Sequence, residues 1–325
     1  MSHRKLQLVV LCIGALLMAI KFATWWLTNS NAVLSDASES IINIAAGVFA
    51  LYSLTLAAKP KDSNHPYGHG KIEFLSAGFE GGLIFLAGVG IIAKAIYNLR
   101  FPQNLQSLDI ALYLTVFTGF INYIMGAVLE KRGRQASSLT LVASGKHLKS
   151  DAWSSAGLVI GLLIVAISNM PALDSVIAAI FGCVILYTGF QLLRKSIAGI
   201  MDEADYQLIE QMVKVLDQNR RPNWIDVHNF RVIKYGATLH IDCHITVPWY
   251  FNTRESHSEV KAFERLVDEK SELPVELFVH VDPCEQGISC RICTKTDCSV
   301  REQPCSEYIE WNLENVMADM HHHVE

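Results

Sequence analysis

His147 and Asp151 stand one helical turn apart at the mouth of a stretch that becomes an uninterrupted apolar run from Ala156 to Ile167. An ionisable side chain at membrane depth costs roughly 2.5 to 3.5 kcal/mol on insertion scales, so such a pair is seldom decorative. A second apolar stretch carries Asp36, Glu39 and Asn43 at i, i+3 and i+7. That spacing stacks all three along one helical stripe. Between the second and third apolar runs, Asp62, His65 and His69 follow D-x-x-H-x-x-x-H spacing in a short polar loop. Three clusters of oxygen and nitrogen donors in one apolar domain point to divalent cations.

The elements that must hold these residues are membrane helices. The 325 residues are 51% hydrophobic, and nearly all of the apolarity lies before residue 195. A hydrocarbon core of ~30 Å needs ~20 apolar residues per helix. Six stretches qualify: Leu6 to Thr28, Val33 to Ala58, Ile72 to Leu99, Leu108 to Leu129, Leu139 to Ile167 and Ala172 to Leu193. The first is too long for a signal-peptide core, and no small-residue cleavage site follows Trp25-Trp26. Arg4, Lys5, Lys59, Lys61, Lys71, Lys131, Arg132, Arg134, Arg194 and Lys195 fall on one side of these spans, against Arg100 on the other. Lys and Arg near helix ends stay in the cytoplasm, so both termini are expected there. Lys21 reads as a side chain snorkelling to the outer interface, and Lys146 and Lys149 as interfacial anchors.

After Leu193 the pattern becomes charged and of shorter period. Tyr206 to Asn219 and Thr253 to Glu269 have helical spacing; Ile225 to Tyr235 and Thr238 to Val247 alternate around Gly236; Val275 to Val281 is a β-branched run closed by Asp282-Pro283. The order α-β-β-α-β predicts a small ferredoxin-like α+β domain with a three-stranded sheet. The expected whole is a polytopic α-helical membrane protein: a transport domain over 1–199, a cytoplasmic α+β domain over 200–283, and a cysteine-rich tail over 284–325 with a weakly helical end, Ser306 to Met320. The net charge of -5 resides in the soluble part and argues against nucleic-acid binding. Cytoplasmic cysteines are reduced, so Cys284, Cys290, Cys293, Cys298 and Cys305 read as metal chemistry before disulfides. One C-x-x-C lacks the paired spacing of a zinc ribbon; a single thiolate-bound metal is the first reading, ahead of an iron-sulfur cluster or solvated thiols. Cys12 and Cys183 are apolar fillers, and the terminal histidines are assigned no function.

Leu34, Asp36, Ala37 and Asn43 in the second span, Asp62 through Glu73 in the following loop, His147, Ser150, Asp151, Ser154 and Ser155 in the fifth span, and a final His280-Val281-Asp282-Pro283 occur in one order. In that succession the chain resembles the cation diffusion facilitators, proton-coupled exporters of zinc and related metals, and within them the bacterial ferrous-iron and zinc efflux branch. The likeness runs over roughly residues 1 to 284. It implies a transport site of Glu39, Asn43, His147 and Asp151, with Glu39 and Asn43 departing from the family's usual residues on the second helix. It implies a second site at Asp62, His65 and His69. In the soluble domain it implies a dinuclear site of His228, His244, His257, His280 and Asp282, linking two protomers as a homodimer.

The function so implied is export of a divalent metal across the inner membrane in exchange for protons, with no enzymatic activity. Zn2+ or Fe2+ comes first; Mn2+, Co2+ and Cd2+ remain open, because an amide at Asn43 is a harder and weaker ligand than a carboxylate. A membrane-bound metal sensor and a passive channel are the rival readings. A sensor needs no ionisable ligands at membrane depth, and a pore favours rings of weak ligands.

Overall fold

The computed structural model describes residues 3–28, 31–101, 109–168, 172–271 and 273–322. These residues fall into two compact units, Met1–Met201 and Asp202–Glu325. The first unit contains the long helices α1 (His3–Thr28), α2 (Asn31–Ala57), α3 (Ile72–Arg100), α4 (Asp109–Gln135), α5 (Leu139–Ser168) and α6 (Ala172–Ile200). Four carry stretches long and apolar enough to cross a bilayer among the described residues: His3–Ala23, Ser40–Ala57, Ile72–Arg100 and Ser175–Ile200. Helix α5 carries Lys146, Lys149 and Asp151 in its first half, and α4 ends in Glu130, Lys131, Arg132 and Arg134. Lys149 pairs with Glu130 of α4 at 3.0 Å.

Helix pairs α3–α6 and α4–α5 form the most extensive contacts, and small residues set how closely they approach. A Cβ on Gly145 of α5 would meet the Glu130 backbone nitrogen of α4 at 2.5 Å, and one on Gly189 of α6 would meet Phe85 of α3 at the same distance. Apolar helices in lipid gain little from hydrophobicity against each other, so backbone contact through such positions supplies much of the association. Polar links join it: Glu73 of α3 accepts from Ser138 and from the Thr140 backbone, and Ser196 of α6 donates to the Phe74 carbonyl at 2.6 Å.

The second unit follows the expected order: α7 (Tyr206–Gln218), β1 (Asp226–Tyr235), β2 (Thr238–Val247), α8 (Thr253–Lys270) and β3 (Val275–Pro283), then a short α9 (Leu313–Met317). Asp205 caps α7, accepting from Leu208, and Asn252 with Glu255 forms a capping box on α8. Strands β1 and β2 pair antiparallel and β2 and β3 parallel, in the order β1-β2-β3. On β2 the residues Leu239, Ile241, Cys243, Ile245 and Val247 enter the core with Ile209, Val213 and Leu216 of α7 and Phe263 of α8. Because side chains alternate across a strand, the even-numbered residues His244 and Thr246 face the other way. The segment after Pro283 is no loose appendage. Trp311 and Val316 are buried in this same core, Asp217 accepts from the Trp311 N–H at 3.0 Å, and Arg220 lies over the Trp311 ring at 4.3 Å.

Three outcomes follow from this packing. Gly145→Val forces α4 and α5 apart at about 1–3 kcal/mol, the usual range for overpacking, and lowers the melting temperature of the solubilised protein. Gly90→Ala, where an added Cβ meets nothing within 4 Å, leaves melting unchanged or slightly raised. Trp311→Ala costs about 3–5 kcal/mol, read as a lower melting temperature of the second unit; an unshifted melt would show that the C-terminal segment is not part of the core.

Candidate metal centres

Within the first unit, Asn43 of α2 meets His147 and Asp151 of α5. The Asn43 amide spans the other two: Nδ2 donates to Asp151 Oδ2 at 2.7 Å, and Oδ1 lies 2.9 Å from His147 Nε2. With the amide so oriented, an assignment that rests on the hydrogen-bond network, Nε2 of His147 carries the proton. An imidazole, an amide oxygen and a carboxylate therefore converge before any ion arrives. Glu39 and Asp36, expected on the same stripe, have side chains outside the described residues. A cavity of about 60 Å³ opens beside the three, lined also by Ser40, Glu80 and Ser144. That is room for an ion and a few waters.

Two lining residues depart from the sequence reading. Lys21 does not snorkel outward; it is 7% exposed, lines this cavity and donates to Ser40 of α2 at 3.1 Å. Glu80 of α3 was missed altogether. It is 1% exposed, its Oε1 accepts from Ser144 of α5 at 2.6 Å, and its Oε2 meets no hydrogen-bond partner among the described residues. A carboxylate two turns inside the span Ile72–Arg100 was the available signal.

Asp62, His65 and His69 also come together. Asp62 Oδ1 lies 3.1 Å from His65 Nδ1 and Oδ2 lies 3.4 Å from His69 Nε2, while the two rings stack at 4.3 Å. The backbone N–H of His65 above all, and then its ring and the Asn64 N–H, hold the Asp62 carboxyl below the usual carboxylate range. A pre-ionised carboxylate with two imidazoles within 4.8 Å is a ready ligand set.

On the sheet the strand register does the assembly. His228 of β1 pairs with His244 of β2, and His244 with His280 of β3; two residues on, Asp226, Thr246 and Asp282 form a parallel row. Both rows lie on the face away from α7 and α8. A bulge between His228 and Arg231, with Asn229 at φ 50, keeps His228 on this face while Phe230 and Val232 return to the core. His244 Nδ1 lies 3.0 Å from Asp282 Oδ2, His280 Nε2 3.2 Å from Asp282 Oδ1, and His228 Nε2 3.7 Å from Asp282 Oδ2. His257 does not join them within one chain. It is exposed on α8, which packs on the opposite, core face through Phe263 and Val267. His240 lies apart, with Nδ1 3.1 Å from Glu276 Oε2.

The tail cysteines form no group of ligand atoms within 4.8 Å among the described residues. Cys293 is buried beside Ile225 and Ile292 with Cys284 against it, Cys305 is exposed, and Cys284 accepts from the Trp249 N–H at 3.4 Å. Burial pushes the Cys284 and Cys293 thiols up. At Cys290 burial is outweighed by backbone N–H groups of Glu302, Gln303 and Gly287, which hold its thiol below the usual range. The segment is tied by Arg301, whose guanidinium donates to the carbonyls of Cys290, Cys293, Lys295 and Gln303.

Residues 7–201 match the model of the cation efflux transmembrane domain, and residues 203–284 match that of the cation efflux protein cytoplasmic domain. An uncharacterized transporter of Synechocystis sp. is 31% identical over 278 residues, 85% of this chain and 89% of that protein. The manganese efflux system protein MneP of Bacillus subtilis is 25% identical over 291 residues, 86% of this chain and 96% of that one. The cation-efflux pump FieF of Yersinia enterocolitica is 23% identical over 274 residues, 83% and 89% of the two. The two matched segments meet at the boundary between the compact units, and the chain belongs to the cation diffusion facilitator family of membrane cation-efflux transporters.

Proposed function

We propose that this protein is a homodimeric antiporter of the inner membrane, with six spans and both termini cytoplasmic, exporting a divalent transition metal in exchange for protons. The observation that supports it is the Asn43 amide bridging His147 and Asp151, with Asn43 and His147 lining a cavity between helices. Imidazole and carboxylate, with reference pKa values of about 6.5 and about 4, bind either protons or metal. An ion arriving at Nε2 of the His147 imidazolium displaces the proton there while Nδ1 keeps the other, and reprotonation of Nε2 and of the carboxylate from the far side discharges the ion. Rocking of the helices around the site would expose it to each side in turn. Glu39 is the fourth ligand of the proposed set. Asp62, His65 and His69 would hold an ion at the membrane surface. His228, His244, His280 and Asp282, with His257 contributed across the dimer, would clamp two cytoplasmic domains.

A site of one imidazole, carboxylates and an amide suits Zn2+ or Fe2+. Manganese efflux is the second reading, favoured by the hard amide oxygen of Asn43 and by the manganese efflux proteins among the relatives. The tail thiols are proposed to take one soft or borderline ion through Cys290, Cys293, Cys298 and one of Cys284 or Cys305; the backbone N–H groups facing Cys290 support a thiolate there.

Asp151→Ala is expected to lower metal flux in proteoliposomes at least about 10-fold, the least that loss of even a supporting ligand contact costs, with the protein still folded and dimeric. Flux above half of wild type at equal incorporation sinks the site assignment; flux that is present but indifferent to a pH gradient removes the proton coupling alone. Asn43→Asp adds a carboxylate and is expected to raise transport of Zn2+ relative to Mn2+. The ratio is the readout, since added charge strengthens binding of every divalent ion, and an unchanged ratio would show that Asn43 does not coordinate.

A further inference from the structure

The row of imidazoles on the sheet does not stop at β1. The chain returns after α9 alongside that strand, where the Ala318 carbonyl accepts from the N–H of Asn229, the bulge residue, at 2.8 Å. This return seats His321 against His228, with ring centroids 4.4 Å apart, next to the His228–His244 and His244–His280 pairs at 5.0 and 4.7 Å. Four imidazoles thus stand side by side, three from the strands and one from the C-terminal segment.

Behind the added histidine lies a carboxylate that the site described above does not use. Asp226 is 1% exposed and His228 4%. Asp226 Oδ2 lies 3.2 Å from His228 Nδ1 and 3.9 Å from His321 Nδ1, and these three donor atoms lie within 4.8 Å of one another. Ligand atoms on a tetrahedral ion with bonds of about 2.0 to 2.1 Å sit roughly 3.3 Å apart, so the observed spacings need only a small closure. The approach of Asp226 to His228 is close yet off the hydrogen-bond axis, and His228 Nδ1 makes no hydrogen bond among the described residues. Buried donors that converge without bonding one another are unusual unless something else is bound between them. His321 Nδ1 also faces the Thr246 hydroxyl at 3.3 Å. On the other side of the carboxylate, the His322 N–H donates to Asp226 Oδ2 at 3.1 Å and its ring nitrogen Nδ1 lies 2.6 Å from Oδ1.

We propose that Asp226, His228 through Nδ1, and His321 form a second divalent-metal site in the cytoplasmic unit, completed by the C-terminal segment. The inference rests on the reading of this unit as metal-binding; it shares His228 with the centre proposed above and adds Asp226 and His321. A neutral imidazole has a single ring lone pair, so when His228 gives Nδ1 to this ion, His244, His280 and Asp282 remain for the other. Two nitrogens and one carboxylate suit Zn2+ or Co2+, and a fourth position stays open to water.

The test counts ions in the full-length solubilised protein, equilibrated with Zn2+ and freed of excess by gel filtration. His321→Ala and a chain ending at residue 320 are expected each to hold one Zn2+ per chain fewer than wild type. With Co2+, the same variants are expected to lose part of the visible absorption of tetrahedral sites. His321→Ala removes a partly exposed ring outside the core and keeps the melting temperature; the chain ending at residue 320 also loses the His322 contacts to buried Asp226, so it and Asp226→Asn are read only beside their melts. His244→Ala should remove a different ion and leave the one held by His321. An equal Zn2+ count in wild type and His321→Ala overturns the proposal, even if affinity elsewhere falls, because the tail would then only orient His228. A count lowered by His321→Ala but untouched by His244→Ala keeps this site and instead overturns the sheet centre assigned above.

Discussion

One side-chain amide joins the two helices that matter most in the membrane unit. Asn43 on α2 gives a proton to Asp151 and faces His147 with its oxygen, both on α5. Inside apolar surroundings, a polar group left unmet costs more than its bond is worth in water, so each of these groups fixes the others. The same constraint extends outward from the triad. Ser144, one turn before His147, donates to Glu80 of α3, Lys21 of α1 is met by Ser40 of α2, and Lys149 reaches Glu130 of α4. Five helices are thereby tied around one cavity by polar contacts, and the glycine contacts of α4 with α5 and of α3 with α6 bring them near enough to make those contacts.

At the proposed transport site the Asn43 amide, His147 and Asp151 are one another's partners, so in the proposed cycle an ion would compete with hydrogen bonds that already join α2 to α5. The surface set at Asp62, His65 and His69 is different in kind: Asp62 and His65 are about half exposed, and water competes for every donor.

The cytoplasmic unit solves its assembly problem with a sheet. Period-two alternation sends one set of residues to the core beneath α7 and α8 and the other to the opposite face, where register aligns His228, His244 and His280. The bulge at Asn229 lets His228 keep that face while the rest of β1 returns to core packing, and it is also where the C-terminal segment docks. Core and metal face are thus coupled through one strand irregularity: the segment that inserts Trp311 into the core is the one that carries His321 to Asp226.

What the sequence determined by itself is what depends on near neighbours along the chain. The helical spacing of His147 and Asp151, the D-x-x-H-x-x-x-H loop, the alternation of β1 and β2 around Gly236 and the capping residues of α8 are all local, and the α-β-β-α-β order followed from them. The family's motifs added the assignment of His228, His244, His280 and Asp282 to one centre, which the strand register brings together, and of His257, which lies on the far side of the sheet within the chain. Only the tertiary structure decided the pairings across elements: Glu80 with Ser144, Lys21 with Ser40, Arg220 with Trp311, and Asp226 with residues almost a hundred positions later. Spacing along a chain encodes which face of its own helix or strand a side chain occupies. It does not encode what packs against that face, which is set by the competition of all elements for close contact and for polar partners.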